Sequence, residues 1–237
     1  MKLSVVIPCY NEAKNIPFLL ERLSTVVKRN DIEIVLVDNG STDETESVLS
    51  HLLPAHPFVK IVNVSINQGY GYGILSGLRE STGEYIGWTH ADLQTDPQDA
   101  IKALDIIETM HYPENVYVKG SRKRRPLFDL FFTLGMSLFE TAYLKTMLWD
   151  INAQPNIFHR SFFESWTSPP HDFALDLYAL YRARRQHVDI VRFPVLFLPR
   201  QHGHSHWNTS LSAKWRFIKR TLQFSREMKR GLTKSNS

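Results

Sequence analysis

Cysteine is nearly absent: Cys9 is the single thiol in 237 residues. One thiol forms no internal disulfide, which fits a reducing compartment. Long uncharged apolar runs are missing as well. The strongly apolar stretch 127–149 carries Asp129, Glu140 and Lys145, and three ionisable groups make it a poor membrane span. The first residues pass at once into a strand-like run, without the basic region, apolar stretch and cleavage site of a secretory leader. The expectation is therefore a cytoplasmic protein, peripheral at the inner face of the membrane. Two phosphate-binding signatures are also missing. No G-x-G-x-x-G directly follows the first strand and no G-x-x-x-x-G-K-[ST] occurs, which argues against a dinucleotide site and a P-loop.

The apolar fraction of 43% and charged fraction of 22% are those of an ordinary globular protein, so wholesale disorder is excluded. The net charge of +4 is unevenly placed. Between Lys214 and Lys234 there are eight basic residues and one acidic, leaving the remainder of the chain near −3. A nucleic-acid binder spreads its positive charge over a folded face, and no motif of that class accompanies these residues. Here the basicity is a tail.

Short, often β-branched runs at 3–8, 32–37, 59–64 and 85–89 alternate with helically spaced stretches at 15–27, 43–53, 70–80 and 99–109. That alternation predicts an α/β fold with a mostly parallel sheet and helices on both faces. Asp43 reads as a helix N-cap, with Glu46 three residues on completing a capping box. Further strands are expected at 115–119 and 188–198, a helix at 173–185, and a basic C-terminal helix. In the stretch 127–149 the polar positions Asp129, Thr133, Ser137, Glu140 or Thr141, and Lys145 recur every three or four residues. They form one narrow polar stripe, and the segment reads either as an interfacial helix on a bilayer or as a core helix.

Ligands of open parallel sheets bind outside the carboxyl ends of the strands. In this sequence those ends read Pro8-Cys9-Tyr10-Asn11-Glu12, then Asp38-Asn39-Gly40-Ser41-Thr42-Asp43, then Asn67-Gln68-Gly69, then His90-Ala91-Asp92-Leu93-Gln94. Singly, each is explained as turn and cap chemistry. Together, acidic, amide and glycine residues converge on one edge, the pattern of a nucleotide site.

These segments, with Gly83-Glu84-Tyr85-Ile86 and Ala91-Asp92-Leu93-Gln94-Thr95-Asp96-Pro97, resemble a family 2 glycosyltransferase of the GT-A (Rossmann-like) fold over residues 2–206, ahead of a basic amphipathic tail, 207–237. The Ala-Asp-Leu-Gln stretch, and Phe193-Pro194-Val195 followed by Arg200-Gln201-His202-Gly203-His204-Ser205, are most similar to the polyprenyl-phosphate (dolichyl-phosphate) mannose and glucose synthases. The resemblance implies transfer, with inversion, from a GDP- or UDP-sugar. Pro8, Tyr10, Glu12 and Asp38, flanked by Asn67 and Gly69, would hold the nucleoside. Asp92 and Gln94 would hold Mn²⁺ or Mg²⁺, hard cations that prefer oxygen and share their shell with substrate phosphates. Arg200 would contact the donor diphosphate as a bidentate donor. Arg122 and Ser205 would meet an acceptor phosphate. Asp176 stands where the branch has an acid, with Asp172 a neighbour at helical spacing; either reads as a catalytic base toward a sugar hydroxyl or as a surface acid.

Three departures mark this chain. His90 replaces the first aspartate of the Asp-x-Asp element, a nitrogen ligand better suited to Mn²⁺ than to Mg²⁺. The usual Gly-Glu-Ser-Lys ending reads Gly203-His204-Ser205-His206. The glycine-containing turn near residue 153 reads Asn152-Ala153-Gln154-Pro155-Asn156.

Arg122-Lys123-Arg124-Arg125 reads as a solvated loop or as an anion site for diphosphate, acceptor phosphate or lipid head groups. The tail, with Trp215, Ile218 and Leu222 beside Lys214, Arg216, Lys219, Arg220 and Arg226, reads either as a helix adsorbed on an anionic membrane or as one docked on the protein's own core. The expected acceptor is polyprenyl phosphate. A surface polysaccharide or lipopolysaccharide saccharide is the alternative, and a non-catalytic nucleotide-sugar-binding protein is the rival from another class.

Overall fold

A computed structural model describes residues 1–123, 127–198, 219 and 223–227, with the backbone alone described at 127–134 and 136. Seven strands form one sheet: β1 Leu3–Cys9, β2 Ile32–Asn39, β3 Val59–Val64, β4 Tyr85–Trp88, β5 Val116–Lys123, β6 Asn156–His159 and β7 Asp189–Leu196. Their order is β3-β2-β1-β4-β6-β5-β7. β1 pairs in parallel with β2 on one side and β4 on the other, so the winding reverses between β1 and β4. β6 runs antiparallel to both β4 and β5, and β7 is parallel to β5.

The helices that flank the sheet among residues 1–198 are α1 Ile16–Val26, α2 Thr45–Leu52, α3 Tyr70–Glu80, α4 Gln98–Thr109, α5 Leu127–Leu144, α6 Arg160–Glu164 and α7 Leu175–Arg185. Alternation along β1 shows how the faces are dressed. Leu3, Val5, Ile7 and Cys9 pack with Leu19, Leu20 and Leu23 of α1 and Ala103, Leu104 and Ile107 of α4. Val6 points the other way, into Ile74, Leu75 and Leu78 of α3 and Leu175, Tyr178 and Ala179 of α7. Residues i and i+2 of a strand share a face, so one strand serves two cores. The buried positions of α1, Ile16, Leu19, Leu20 and Leu23, are the i, i+3, i+4, i+7 stripe that such a face requires.

The mostly parallel sheet with helices on both faces matches the expectation. Several local details differ. α2 begins at Thr45 with Glu44 at the cap position and no side-chain cap bond. Asp43 instead accepts the Thr45 amide at 3.0 Å and the Ala13 amide at 3.3 Å. The capping box is not formed because Asp43 ties the loop after β1 to the loop after β2. The helix expected over 127–149 stops at Leu144, where Lys145 takes a positive φ of 51°, and the Thr141 hydroxyl accepts the Leu148 amide at 3.0 Å.

Two members of the polar stripe of α5, Ser137 and Glu140, are turned inward. Ser137 and Glu140 are 2% and 0% exposed, whereas Leu138 and Phe139 are 61% and 42% exposed. Leu144, Leu148 and Ile151 close against Leu177, Leu180 and Tyr181. The short helical piece 223–227 lies beside α5: Ser225 is buried and donates to Glu140 Oε2 at 2.7 Å, while Phe224 packs among Tyr178 and its neighbours. Where the tail is described, it docks on the core. No helix among the described residues is long and apolar enough to cross a membrane.

Candidate active site

The loops that leave β1, β2, β3 and β4 at their carboxyl ends meet at the reversal of strand order, where an open sheet splays its helices apart. The first two are knitted together. Asn11, at φ 57°, accepts the Thr42 amide at 2.8 Å through Oδ1 and donates its own amide to Ser41 Oγ at 3.1 Å. The Glu12 amide donates to Thr45 Oγ1 at 2.9 Å. Asp38, buried, accepts the Ser41 amide at 3.0 Å. Tyr10 keeps its ring exposed at the rim. Beneath them burial, with Glu12 and Asp38 adding negative charge, pushes the Cys9 thiol far above its ordinary range, so Cys9 is an inert core residue.

The third loop joins through Asn39 and Asn67. Asn39 Nδ2 donates to the Gly69 carbonyl at 3.0 Å, and the Gly69 amide donates to Asn67 Oδ1 at 2.8 Å. Two glycines make this crossing feasible. Gly40 has φ 71°, and a Cβ on it would stand 2.4 Å from the Asn67 backbone nitrogen; Gly69 has φ 113°, and a Cβ there would stand 2.4 Å from the His171 carbonyl. L-residues rarely adopt such φ values, and neither position leaves room for a side chain.

The fourth loop carries Asp92, which is 4% exposed and accepts the Gln94 amide at 3.1 Å. Gln94 Nε2 donates to the Leu198 carbonyl at 3.1 Å, and the Leu198 amide returns a bond of 2.8 Å to the Gln94 carbonyl. The segment leading toward Arg200 is thereby tied to the Asp92 loop. Arg200 and Ser205 themselves lie outside the described residues. Among the described residues, no cluster of three His, Cys, Asp or Glu side chains is placed to hold a metal ion. His90 has its ring 5.8 Å from that of Tyr70, tilted by 34°. A single buried carboxylate still suits Mg²⁺ or Mn²⁺, which draw most of their ligands from phosphates and water. The donor set at Asp92 fits such an ion on those terms.

Asp176 is not a surface acid. It is 3% exposed, and its Oδ1 accepts Gln154 Nε2 at 3.0 Å and Asn156 Nδ2 at 3.1 Å. Burial raises its pKa, and the charges of Lys119 and His90 pull the other way. Lys119, wholly buried on β5, donates to the Ala153 carbonyl at 2.7 Å and to Asn156 Oδ1. Burial lowers its pKa to about 7. In this conformation Asp176 is covered from any acceptor arriving from solvent. The exposed-side neighbour Asp172 accepts the Ala174 amide at 2.9 Å, just before α7. Arg122 is likewise committed: its Nη2 and Nε lie 2.6 and 2.9 Å from Oδ1 of the buried Asp150, and its amide lies 2.9 Å from Oδ2. Its guanidinium is held within the protein by these two charge-assisted bonds to one carboxylate oxygen. Arg124 and Arg125 lie outside the described residues.

The structure thus gathers Pro8, Tyr10, Glu12, Asp38, Asn67, Gly69, His90, Asp92 and Gln94 on one edge. It sets Asp176 below that edge and Arg122 in an internal ion pair. The polar layer of Lys119, Gln154 and Asn156 escaped sequence reading. The available signals were a lysine closing the apolar run Val116-Tyr117-Val118 and the unusual turn Asn152–Asn156.

Residues 4–168 match the family model described as "Glycosyl transferase family 2". An undecaprenyl-phosphate 4-deoxy-4-formamido-L-arabinose transferase of Yersinia enterocolitica is 35% identical over 111 residues, 45% of this chain and 34% of that one. A dolichol-phosphate mannosyltransferase of Pyrococcus furiosus is 32% identical over 108 residues, 46% of this chain and 30% of that one. The matches therefore span about a third of the length of these relatives. Among solved structures, the mannosyltransferase PcManGT of Pyrobaculum calidifontis, in complex with GDP-Man and Mn²⁺, superposes with a TM-score of 0.64 at 21% identity, covering 84% of this chain and 58% of that one. Glucosyl-3-phosphoglycerate synthase of Mycobacterium tuberculosis, with Mn²⁺, UDP and phosphoglyceric acid, gives 0.65 at 18% identity, covering 86% and 72%. These likenesses establish the GT-A fold. With the family model spanning most of the sheet and all four loops of its open edge, the chain belongs to glycosyl transferase family 2.

Proposed function

We propose that this enzyme transfers a hexose or hexose derivative from a nucleoside-diphosphate sugar to the phosphate of a polyprenyl lipid, in one displacement with inversion at the anomeric carbon. The observation that carries the reading is the convergence of the four loops on Asp92 at the reversal of strand order. The names of the relatives support the acceptor. Tyr10, Asp38 and the Asn67–Gly69 turn bind the nucleoside, and Asp92, with His90 beside it, holds the divalent ion. When bound, that ion supplies positive charge against the departing diphosphate.

The acceptor brings its own nucleophile. A phosphate monoester is anionic at neutral pH and needs positioning rather than deprotonation. Its oxygen forms the new bond to the anomeric carbon as the bond from that carbon to the diphosphate oxygen breaks, and the electron pair leaves with the diphosphate. A buried Asp176 is consistent with a reaction that uses no general base; here it orients the Gln154 and Asn156 amides under the site. The acceptor never leaves the membrane, so the enzyme must come to it. The outward Leu138 and Phe139 of α5, opposite the inward Ser137 and Glu140, are the surface we assign to that contact.

The test is a matrix of GDP-mannose, UDP-glucose and related donors, each with undecaprenyl phosphate and Mg²⁺ or Mn²⁺, read by mass spectrometry of the lipid. A sugar-phosphoryl-polyprenol product is expected with at least one donor. Turnover with a soluble saccharide and none with the lipid would overturn the acceptor assignment.

A further inference from the structure

Directly after the Asn67–Gly69 turn, three rings stand in a row. His90 neighbours Tyr70 at a centroid distance of 5.8 Å, and Tyr70 stacks on Phe173 at 4.8 Å with the planes 13° apart. Phe173 is 47% exposed, a large exposure for an aromatic residue fixed so firmly. The strap before it is held by backbone. The Tyr72 amide, at the start of α3, donates to the His171 carbonyl at 2.9 Å. Gly69 and Gly71 admit that strap because a Cβ on either would fall within 2.4 to 2.6 Å of its carbonyls. The His171 ring meets Tyr72 edge-on at 5.1 Å, and Asp172 caps the turn through the Ala174 amide. Underneath, the Tyr70 hydroxyl accepts Gln154 Nε2 at 3.3 Å, which couples the ring to the Asp176 layer.

A rigid, outward aromatic beside a diphosphate site has a definite chemical use. The ring of a pyranose is polar at its edge but carries C–H groups on its faces, and such a face packs on an aromatic plane that has been fixed in advance. The sugar of a nucleoside-diphosphate donor lies one bond beyond the second phosphate. With the nucleoside among the loops after β1, β2 and β3, and the diphosphate at Asp92, the sugar must extend past the β1–β4 reversal. That is where the start of α3 and the strap before α7 present Tyr70 and Phe173. We propose that Phe173, backed by Tyr70, is the platform on which the transferred sugar stacks, so that this strap and not the nucleoside loops selects the sugar. The proposal rests on the reading of the chain as a nucleotide-sugar enzyme.

Calorimetric titration of the full chain separates the two. Mn²⁺ is present throughout, and the probes are GDP, UDP, GDP-mannose and UDP-glucose. Wild-type protein is expected to bind one nucleoside diphosphate and its sugar conjugate. The Phe173→Ala variant should bind the conjugate roughly 3- to 10-fold more weakly, the range that one aromatic contact supplies, while binding the bare diphosphate within about twofold of wild type. Phe173→Tyr should restore conjugate binding. An unchanged conjugate affinity in Phe173→Ala, or an equal loss for the bare diphosphate, would overturn the platform while leaving the enzyme assignment intact. Wild-type protein that binds none of the four probes would overturn the donor reading, and the platform with it.

Discussion

Asp92 and Gly69 are the single residues on which the site turns, and they fail in opposite ways when changed. Asp92→Asn keeps an oxygen that can accept the Gln94 amide, so the loop is retained and only the carboxylate charge is lost. We expect transfer to fall at least about a hundredfold, as for other charge-stabilising groups, with an unchanged melting temperature; wild-type turnover would remove Asp92 from the metal site. Gly69→Ala places a methyl 2.4 Å from the His171 carbonyl at φ 113°. A left-handed L-residue together with an overpacked contact costs about 2–4 kcal/mol, measurable by urea titration, and a wild-type midpoint would show that the strap moves aside freely. At this scale the sequence reading was strong where chemistry is local. Asp38, Asn11 and Asp92 stand at strand ends, and their turn residues announce them. Lys119, Gln154 and Asn156 were not legible, because their roles arise only when β5, β6 and α7 come together. Arg122 misled for the same reason: its charge is visible in the sequence, but its partner Asp150 is 28 residues away.

Elements repeat the lesson with packing in place of chemistry. The central strands β1 and β2 announce themselves by nearly continuous apolar runs, as strands buried on both faces do. β6 did not: it is four residues long, begins with a polar Asn156, and runs antiparallel between β4 and β5. α5 was read correctly as a helix with a polar stripe, yet periodicity alone does not say which face points in. The buried members of that stripe give a testable pH dependence. Burial raises the Glu140 pKa to about 7, while the Ser225 hydroxyl draws it down. The folded state therefore holds its proton more tightly than the unfolded chain does. Its contribution is full below the unfolded value of 4.5 and is lost as pH rises through about 7. Glu140→Gln stays neutral and still accepts from Ser225. We expect the stability of the variant relative to wild type to rise by about 2–3 kcal/mol between pH 5 and pH 8. Parallel stability profiles for the two proteins would show that Glu140 is not buried as described.

At the scale of the whole molecule, charge and apolar surface are laid out together. The tail holds more than the whole positive excess of the chain, about +7 against a net +4, and the bond from Ser225 to Glu140 fastens its described part against α5. On that part Lys219 and Arg226 are exposed. Close by along the chain from α5, Leu138, Phe139, Met147 and Trp149 are 61%, 42%, 72% and 44% exposed. Cations beside outward apolar side chains suit an anionic bilayer. Each basic residue near such a surface contributes about 1 kcal/mol and is screened by salt, whereas apolar insertion is not. Two weak contacts on one rigid body bind far more tightly than either alone. Deleting the tail would confound this test, because Phe224 and Ser225 belong to the core. Charge reversal avoids the difficulty. In flotation with vesicles containing phosphatidylglycerol, we expect wild-type protein to float at low salt and to float partially at 0.5 M salt. Lys219→Glu with Arg226→Glu should lower the low-salt fraction, while Phe139→Ser with Trp149→Ser should abolish the salt-resistant remainder. If wild-type protein stays at the bottom of the gradient even at low salt, the α5 surface is not a membrane contact. The acceptor would then have to reach the site by leaving the bilayer, which a polyprenyl phosphate cannot do, and a soluble saccharide would take its place.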